Sequence, residues 1–536
     1  VRHRRTIPRL FTPLLLVAAA GFTTVGAAPP QAPEPRTAPT PLGQVIPAPA
    51  SVKAGGPAYT LNHKTSIRVE GHSSEAKKVA AYLADVLRPS TGYELPVTSR
   101  GSRDAITLEL GSRDKSLGDE GYRLQSGKRG VTITARKAAG LFNGVQTLRQ
   151  QLPGKVESRT RQQGPWQVAG GTIKDVPRYS YRAVMLDVGR HFLTVDQVKK
   201  YIDQAALYKV NKLRMHLTED QGWRIAINSW PRLATYGGST QVGGGPGGYY
   251  TKAQYKDLVT YAASRQMEVI PEVDMPGHTN AALASYAELN CNGVAPPLYT
   301  GTNVGFSSLC ASKDVTYRFI DDVLREIAEL TPGKYLHIGG DEAHSTSHAD
   351  YVKMMDYAQD VVGKLGKKVM GWHQLTGAKQ VDGKVAQYWG YDKTGAAERK
   401  QVADAAKAGT KLVISPADRT YLDMKYHKDT PLGLAWAGYV EVDRAYDWDP
   451  GSYLEGVPAE SVLGVEAPLW TETLATSDQL EFMAFPRLPG VAELGWSPKA
   501  THDWNTYKVR LAAQAPRFEA LGIDYYRSVK VPWPAE

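Results

Sequence analysis

The sequence predicts an α/β protein: a (β/α)8 barrel preceded by a small α+β domain. Three observations carry this. Eight short apolar runs recur after residue 180, mostly separated by stretches with helical spacing. Continuous apolar strands alternating with helices imply a parallel sheet buried on both faces. Carboxylates, an arginine and large aromatics follow the C-terminal ends of these runs, where a barrel carries its chemistry.

The runs are RAVMLDV (182–188), KLRMHLT (212–218), MEVIPEV (267–273), KYLHIGG (334–340), KKVMGW (367–372), KVAQYWG (384–390), KLVISP (411–416) and VLGVEAP (462–468). Helical stretches are read over 195–208, 252–265, 315–330, 350–365 and 396–408. A doubly wound open sheet is the structural alternative. Eight repeats, and no phosphate-binding loop after the first strand, favour the barrel. This places the barrel at 177–536.

Residues 46–176 read as the smaller domain. SIRVE (66–70) and AITLELG (105–111) are strand-like. Ala76, Val79, Ala80, Leu83 and Leu87 lie at helical spacing within 74–87. GYRLQSGKRGVTITA reads as a hairpin turning at 127–130, followed by a helix over 138–152. No cluster of chemistry-bearing residues occurs there, so its expected role is support.

Ahead of it, residues 1–27 read as an export signal. A basic stretch to Arg9 precedes an apolar run from Leu14 to Ala20 and a cleavage site at Val25-Gly26-Ala27. The run is short of the ~20 residues needed to span a bilayer. A removed signal is therefore favoured over a membrane anchor. Residues 28–45 are an Ala/Pro/Thr-rich linker with too few apolar groups to offset chain entropy. The expected mature protein is secreted and makes no membrane contact.

The 536 residues are 42% hydrophobic and 22% charged, which excludes disordered and disulfide-dense classes. Net charge is +10, but Arg2, Arg4, Arg5 and Arg9 supply four of it, and 54 acidic residues are interspersed. No basic block marks a nucleic-acid surface. The two cysteines, Cys291 and Cys310, flank a Gly/Pro/Ser/Asn-rich segment and suggest one disulfide in an exported chain; two unpaired thiols are the alternative. No CxxC pair or Cys/His cluster points to zinc, and neither metal nor cofactor is expected.

The strand ends carry the function. Asp187, Arg190 and His191 end the first. His216, Glu219 and Asp220 end the second, and Glu272, Asp274 and His278 the third. The fourth runs into Asp341 and Glu342. Trp372 and Trp389 end the fifth and sixth, Tyr421 and Asp423 follow the seventh, and Trp470 and Glu472 follow the eighth. Tryptophan faces suit the C–H surface of a pyranose, and carboxylates and arginine suit its hydroxyls. One such tryptophan is equally consistent with barrel packing; three at strand ends are not.

Glu342 is the candidate general acid. A glycosidase ordinarily needs a second carboxylate across the bond. Asp341 is the sequence neighbour of Glu342, and neighbouring side chains at a strand end diverge. One solution is a substrate that brings its own nucleophile, a 2-acetamido group whose carbonyl oxygen attacks the anomeric carbon. Asp341 would then orient the amide and stabilise the developing positive charge.

HIGGDEAH (337–344), LDVGRHF (186–192), MHLTEDQGWR (215–224) and PEVDMPGH (271–278) closely resemble glycoside hydrolase family 20, the β-N-acetylhexosaminidases, and the likeness is to a secreted actinobacterial member. Family 20 is a recognised exception to the two-carboxylate scheme, acting with substrate assistance. The resemblance implies Glu342 as acid/base and Asp341 as acetamido orienter. It implies Arg190 as the clamp on the hydroxyls at C3 and C4. Asp274 and His278 would be a hydrogen-bonded pair behind the acid. Trp372, Trp389 and Trp470 would wall the acetamido pocket, and Tyr421 would bond its carbonyl. Asp423 and Glu472 would bind hydroxyls, and Trp436 would stack on the next sugar. Glu219 departs from the Asp found in many members. The implied activity is exo-acting, retaining hydrolysis of terminal β-linked GlcNAc or GalNAc from chitooligosaccharides or glycoconjugates.

Competing readings are weaker. DEAH also spells a helicase box, but no GKS or GKT occurs. GGGPGG (243–248) contains GxGxxG without a preceding strand, and reads as a barrel loop. His344 and His348, with Asp350 beyond, read as solvated residues at a helix start rather than metal ligands. The DxxDxDxE motif of family 18 chitinases is absent. A non-catalytic N-acetylhexosamine-binding protein on the same barrel is the alternative in another class; retention of both Asp341 and Glu342 favours the hydrolase.

Overall fold

The computed structural model describes residues 38–100 and 104–535. The expected export signal, and the linker up to residue 37, lie outside the described residues.

The first domain is a seven-stranded sheet of order β1-β9-β6-β7-β5-β3-β4 with a two-stranded sheet, β2-β8, beside it. The strands are β1 (Ser51–Ala54), β2 (Tyr59–Leu61), β3 (Ser66–Glu70), β4 (Val97–Thr98), β5 (Ala105–Leu110), β6 (Tyr122–Gly127), β7 (Gly130–Ala135), β8 (Trp166–Val168) and β9 (Gly171–Asp175). The expected hairpin is β6–β7, with Gly127 paired to Gly130. Helices α1 (Ser74–Thr91) and α2 (Ala138–Gln151) pack on the sheet. Ser73 caps α1 by accepting the Ala76 N–H at 3.2 Å, and Gly92 ends it in the left-handed conformation.

The second domain is a closed barrel of eight parallel strands in sequence order. They are β10 (Tyr181–Asp187), β11 (Lys212–His216), β12 (Glu268–Glu272), β13 (Tyr335–His337), β14 (Lys368–Trp372), β15 (Val385–Tyr388), β16 (Lys411–Ile414) and β17 (Val462–Leu469). β17 pairs with β10 to close it. Strand alternation sorts the side chains. Val184 and Leu186 of β10 point out into the large core under the helices. Tyr181 and Ala183 point in, joining Ile270, Met370 and Val413 in the lower lumen. Met185 reaches the rim, against Trp372, Tyr421 and Trp470.

The strand register lines up the chemistry. Asp187 pairs with His216, His216 with Glu272, and Glu272 with His337, so four polar residues stand side by side at one level. Below them the fully buried Arg214 is paired with both Glu272 and Glu466.

The smaller domain docks where β10 begins, at the end opposite the C-terminal rim of the strands. Arg182 donates two hydrogen bonds to Glu120, at 2.6 and 3.1 Å. Lys209, wholly buried, reaches Asp175 and the Tyr122 hydroxyl, both at 3.1 Å, and lies 4.7 Å from the Trp496 ring centre. Arg149 and Arg517 close on Glu157 from the two sides. Buried pairs of this kind fix orientation more than they add stability. Among the described residues, no helix is long and apolar enough to cross a membrane.

Candidate active site

Each strand end delivers its side chain through a short local device. After β10, the Asp187 carboxylate accepts the N–H groups of Gly189 and Arg190, at 2.9 and 3.1 Å, and turns the chain back over the barrel. Arg190 is thereby buried with its guanidinium 4.8 Å from the Trp470 ring. One of its nitrogens meets Glu219 at 2.8 Å, and its Nε has no hydrogen-bond partner among the described residues.

After β13 the chain does not run straight into the carboxylates. The strand ends at His337, and Gly339 and Gly340 follow with φ of 65° and 105°. A Cβ on Gly339 would fall 1.7 Å from Asp274 Oδ1, so only glycine fits. Gly340 N–H donates to that same oxygen at 3.0 Å. Glu342 then takes φ of 45°, a costly conformation for a residue with a side chain. The turn brings both carboxylates to one side chain without showing them across one bond from each other. His278 Nε2 stands 3.3 Å from Glu342 Oε2 and 3.8 Å from Asp341 Oδ2, so one imidazole serves both. His278 itself has φ of 56°.

The expected Asp274–His278 pair behind the acid is divided. His278 backs Glu342. Asp274 lies against Asp341, with polar atoms of Asp274, His278 and Asp341 within 4.8 Å of one another. Burial, and then the charge of Asp341, pushes the Asp274 carboxyl well above the carboxylate range. Two buried carboxyls this close do not both ionise. Burial raises the Asp341 carboxyl as well, but the His278 charge opposes it, so of the two Asp274 is the one pushed further toward the neutral form.

Glu219 joins the two halves of the site. One oxygen accepts from Arg190 and from His216 Nε2, at 2.8 and 2.9 Å; the other accepts from His278 Nδ1 at 3.0 Å and from the Asp220 N–H at 2.9 Å. Burial disfavours its charge, but Arg190 and His278 outweigh burial and hold it well below the usual range. Burial likewise opposes the charge on His278, and Glu219 with Asp341 outweighs it, so its pKa lies well above that of an ordinary imidazole. His278 is hydrogen-bonded to Glu219 through Nδ1, and its Nε2 faces Glu342 at 3.3 Å without a hydrogen bond among the described residues. The sequence showed Glu219 at a strand end, but its bridging role follows only from folding.

The aromatic residues form a box. Trp372 and Trp470 tilt at 31° with ring centres 5.8 Å apart, and Tyr421 closes a third side, 6.1 Å from Trp470. Trp372 is fully buried, above Arg214 at 4.4 Å, and its Nε1 has no hydrogen-bond partner among the described residues. Trp389 lies across from these and donates its indole N–H to Gln374 at 3.0 Å. Trp436 is 45% exposed; Trp389, Tyr391 and Tyr421 meet it nearly at right angles, 5.7–6.0 Å away. It is a braced, open platform. Burial, and then the Asp341 charge, raises the Tyr421 hydroxyl well above 10, so it stays a phenol and a donor.

Asp423 is buried, and burial followed by the nearby Glu472 pushes its carboxyl well up. Glu472 is raised too, by burial, with Arg190 pulling the other way. Glu472 faces Arg190, and with Asp423 beside it the group is a mixed donor–acceptor set suited to vicinal hydroxyls. Three carboxylate–histidine groups in the site have spacing compatible with a metal ion: His216/Glu272/Asp274, Glu219/Asp220/His278 and Asp274/His278/Asp341. The histidines of these groups pair with carboxylates: His216 with Glu219 and Glu272, and His278 with Glu219 and Glu342. His344 and His348 do not converge with Asp350 as a metal group; His348 opens a helix capped by Ser347.

Cys291 and Cys310 are disulfide-bonded. The loop they close buttresses the site: Ser307 donates to Asp220 at 2.6 Å, and Ser308 and Thr346 share a hydrogen bond of 2.6 Å.

Comparison with known proteins identifies the family. Residues 179–499 match the catalytic-domain model of glycosyl hydrolase family 20, and residues 43–176 match that family's domain 2. A β-N-acetylhexosaminidase of Cellulomonas fimi is 41% identical over 493 residues, 91% of this chain and 97% of that protein. The solved family 20 β-N-acetylhexosaminidase of Streptomyces coelicolor A3(2) superposes with a TM-score of 0.92 at 69% identity, over 93% of this chain and 100% of that one. A mutant β-hexosaminidase of Streptomyces plicatus in complex with product (GlcNAc) has a TM-score of 0.91 at 69% identity, over 93% and 99% of the two chains.

Proposed function

The chain belongs to glycosyl hydrolase family 20, and from that premise we propose how its site works: by substrate-assisted, retaining hydrolysis of terminal β-linked N-acetylhexosamine. The hydrolase itself, an exo-acting β-N-acetylhexosaminidase, follows from the family and from relatives of that activity. The observation that carries the mechanism is the placement of Asp341. It stands 3.8 Å from His278 and beside Asp274, close enough to the Tyr421 hydroxyl of the aromatic box to raise its pKa.

In this reading Arg190, Asp423 and Glu472 hold the hydroxyls of the terminal sugar. The acetamido arm enters the box of Trp372, Trp389 and Trp470. Tyr421 donates to its carbonyl and Asp341 accepts from its N–H. Glu342 gives its proton to the glycosidic oxygen while the carbonyl oxygen bonds to the anomeric carbon, and the leaving sugar departs as an alcohol. The oxazolinium positive charge develops beside the Asp341 carboxylate, where a fixed, buried charge acts most strongly. Glu342, now a carboxylate, takes a proton from water as that water opens the ring, restoring the β configuration.

The test is the anomer of the first-formed sugar by proton NMR, with turnover of a matched glucoside. A β product and a nearly inert glucoside are expected. An α product, or a glucoside cleaved as fast as the N-acetylglucosaminide, overturns the mechanism.

The same reading extends to where the enzyme acts. Residues 1–27 direct export, and the mature protein works outside the cell on chitooligosaccharides or glycoconjugates. The basic-then-apolar start and the single disulfide support this.

A further inference from the structure

A second cavity opens beside the sugar pocket, with a volume of about 580 Å3. That is within the roughly 300–1,000 Å3 of small-molecule sites. It shares two walls with the sugar pocket, Glu342 and Trp389, and continues away from it over His344, Gln374, Glu398 and Gln401. These come from the loop after β13, the turn after β14 and the helix Ala396–Lys407.

Its position relative to Glu342 decides its use. The acid delivers its proton to the glycosidic oxygen, so the leaving group lies on the acid's side of the bond. A cavity bounded by that acid is open to the leaving group, not to the terminal sugar. Its walls are built rather than accidental. Gln374 holds the Trp389 indole, Gln401 donates to Thr376 at 3.0 Å, and His373 meets Glu398 at 2.6 Å.

Its chemistry is that of an uncharged, hydroxyl-rich partner. Amides, hydroxyls and imidazoles dominate, and none of the described lining residues is Lys or Arg. The hydrogen bond from His373 keeps Glu398 ionised, its carboxyl below the usual range. An acidic leaving group would meet that carboxylate with no Lys or Arg among the described lining residues to offset it.

We propose that this side cavity is a binding site for a polar arm of the leaving sugar, such as the acetamido or hydroxymethyl group of a neutral second N-acetylhexosamine. It lies beside the Trp436 platform and is separate from it. The assignment rests on the hexosaminidase reading above. It makes Gln401 and His344 selectivity determinants that do not touch the terminal sugar.

The test compares N,N′-diacetylchitobiose with 4-nitrophenyl N-acetylglucosaminide. Gln401→Trp fills the cavity from an exposed helix position, and Gln401→Ala empties the same position without bulk. The expected result is a loss of kcat/KM for the disaccharide about tenfold greater than for the aryl glycoside with Gln401→Trp, and a smaller shift of the same sign with Gln401→Ala. A disaccharide-to-aryl ratio within about twofold of the unaltered enzyme in both variants overturns the assignment. An unaltered enzyme inert on both substrates would instead remove the hexosaminidase reading, and the cavity's role with it.

Discussion

Arg190 and Glu219 meet at 2.8 Å, and this contact ties the proposed clamp on the terminal sugar to the proposed acid, Glu342. The second Glu219 oxygen holds His278, whose other nitrogen faces Glu342 at 3.3 Å. Glu219→Gln keeps the shape but removes the charge that both cations face. Hydrogen bonds to charged groups are worth roughly 1.5–3 kcal/mol, or about 10- to 150-fold. Both kinetic constants should move: KM up through Arg190, and kcat down through His278. A change confined to KM would show that Glu219 serves the clamp alone.

Glu342→Gln removes the transferable proton, and general acid catalysis is worth roughly 10²–10⁴-fold. The loss should be largest for disaccharides and smaller for activated aryl glycosides, whose leaving groups need little protonation. Equal losses across a series of leaving groups would count against Glu342 as the acid.

Protonation separates Asp274 from Asp341. Asp274 is pushed further toward the neutral form, so Asp274→Asn changes its charge least and should cost less than about tenfold in kcat. Asp341→Asn removes the anion beside the developing positive charge, and losses of roughly 10²–10³-fold are usual for such groups. Comparable losses in the two variants would place negative charge on Asp274 and contradict the assignment.

The barrel was legible because a parallel strand buried on both faces must be a short apolar run. All eight runs became strands, and the catalytic rim followed from their ends. The hairpin at 127–130 was legible through its paired glycines. The short strands β1, β2, β4 and β8 were not, because two to four residues give no period to read. Among the C-terminal helices, Arg487–Trp496 has every residue buried and carries Pro489, Gly490 and Gly495, so no polar face marks it as a helix. The approach of Asp341 and Glu342 to one imidazole was hidden for another reason. It depends on the left-handed conformations at Gly339, Gly340 and Glu342, which spacing does not reveal.

The disulfide is a stability element with a functional position. Its partners are 19 residues apart, and on the chain-entropy model a loop of that size stabilises by about 3 kcal/mol. Cys291→Ser with Cys310→Ser should lower Tm and weaken the loop that supports Asp220. Alkylation of the intact protein under non-reducing conditions should label no thiol. Two labelled cysteines would contradict the bond.

His216 makes stability depend on alkaline pH. It is fully buried, with Nε2 2.9 Å from Glu219 and Nδ1 2.8 Å from Glu272. Burial alone would lower its pKa, but Glu272 and Glu219 outweigh burial and raise it to about 10. The unfolded chain has an ordinary imidazole near 6.5. Because the folded value is the higher one, this contribution is fully present below about pH 6.5 and is lost as pH rises through about 10. Across that window each unit crossed removes at most about 1.4 kcal/mol. Tm should therefore fall steadily between pH 7 and 10, beyond any loss from surface charge. His216→Gln retains a side-chain donor but carries no charge. It should start lower, since breaking a buried pair costs roughly 3–5 kcal/mol, and its Tm should fall less steeply over the same range, with His278 still contributing. Thermal unfolding of both proteins from pH 6.5 to 10 is the measurement. An unchanged slope in His216→Gln would place the titrating group elsewhere, with His278 the next candidate, since it shares Glu219 with His216 and its pKa is raised as well.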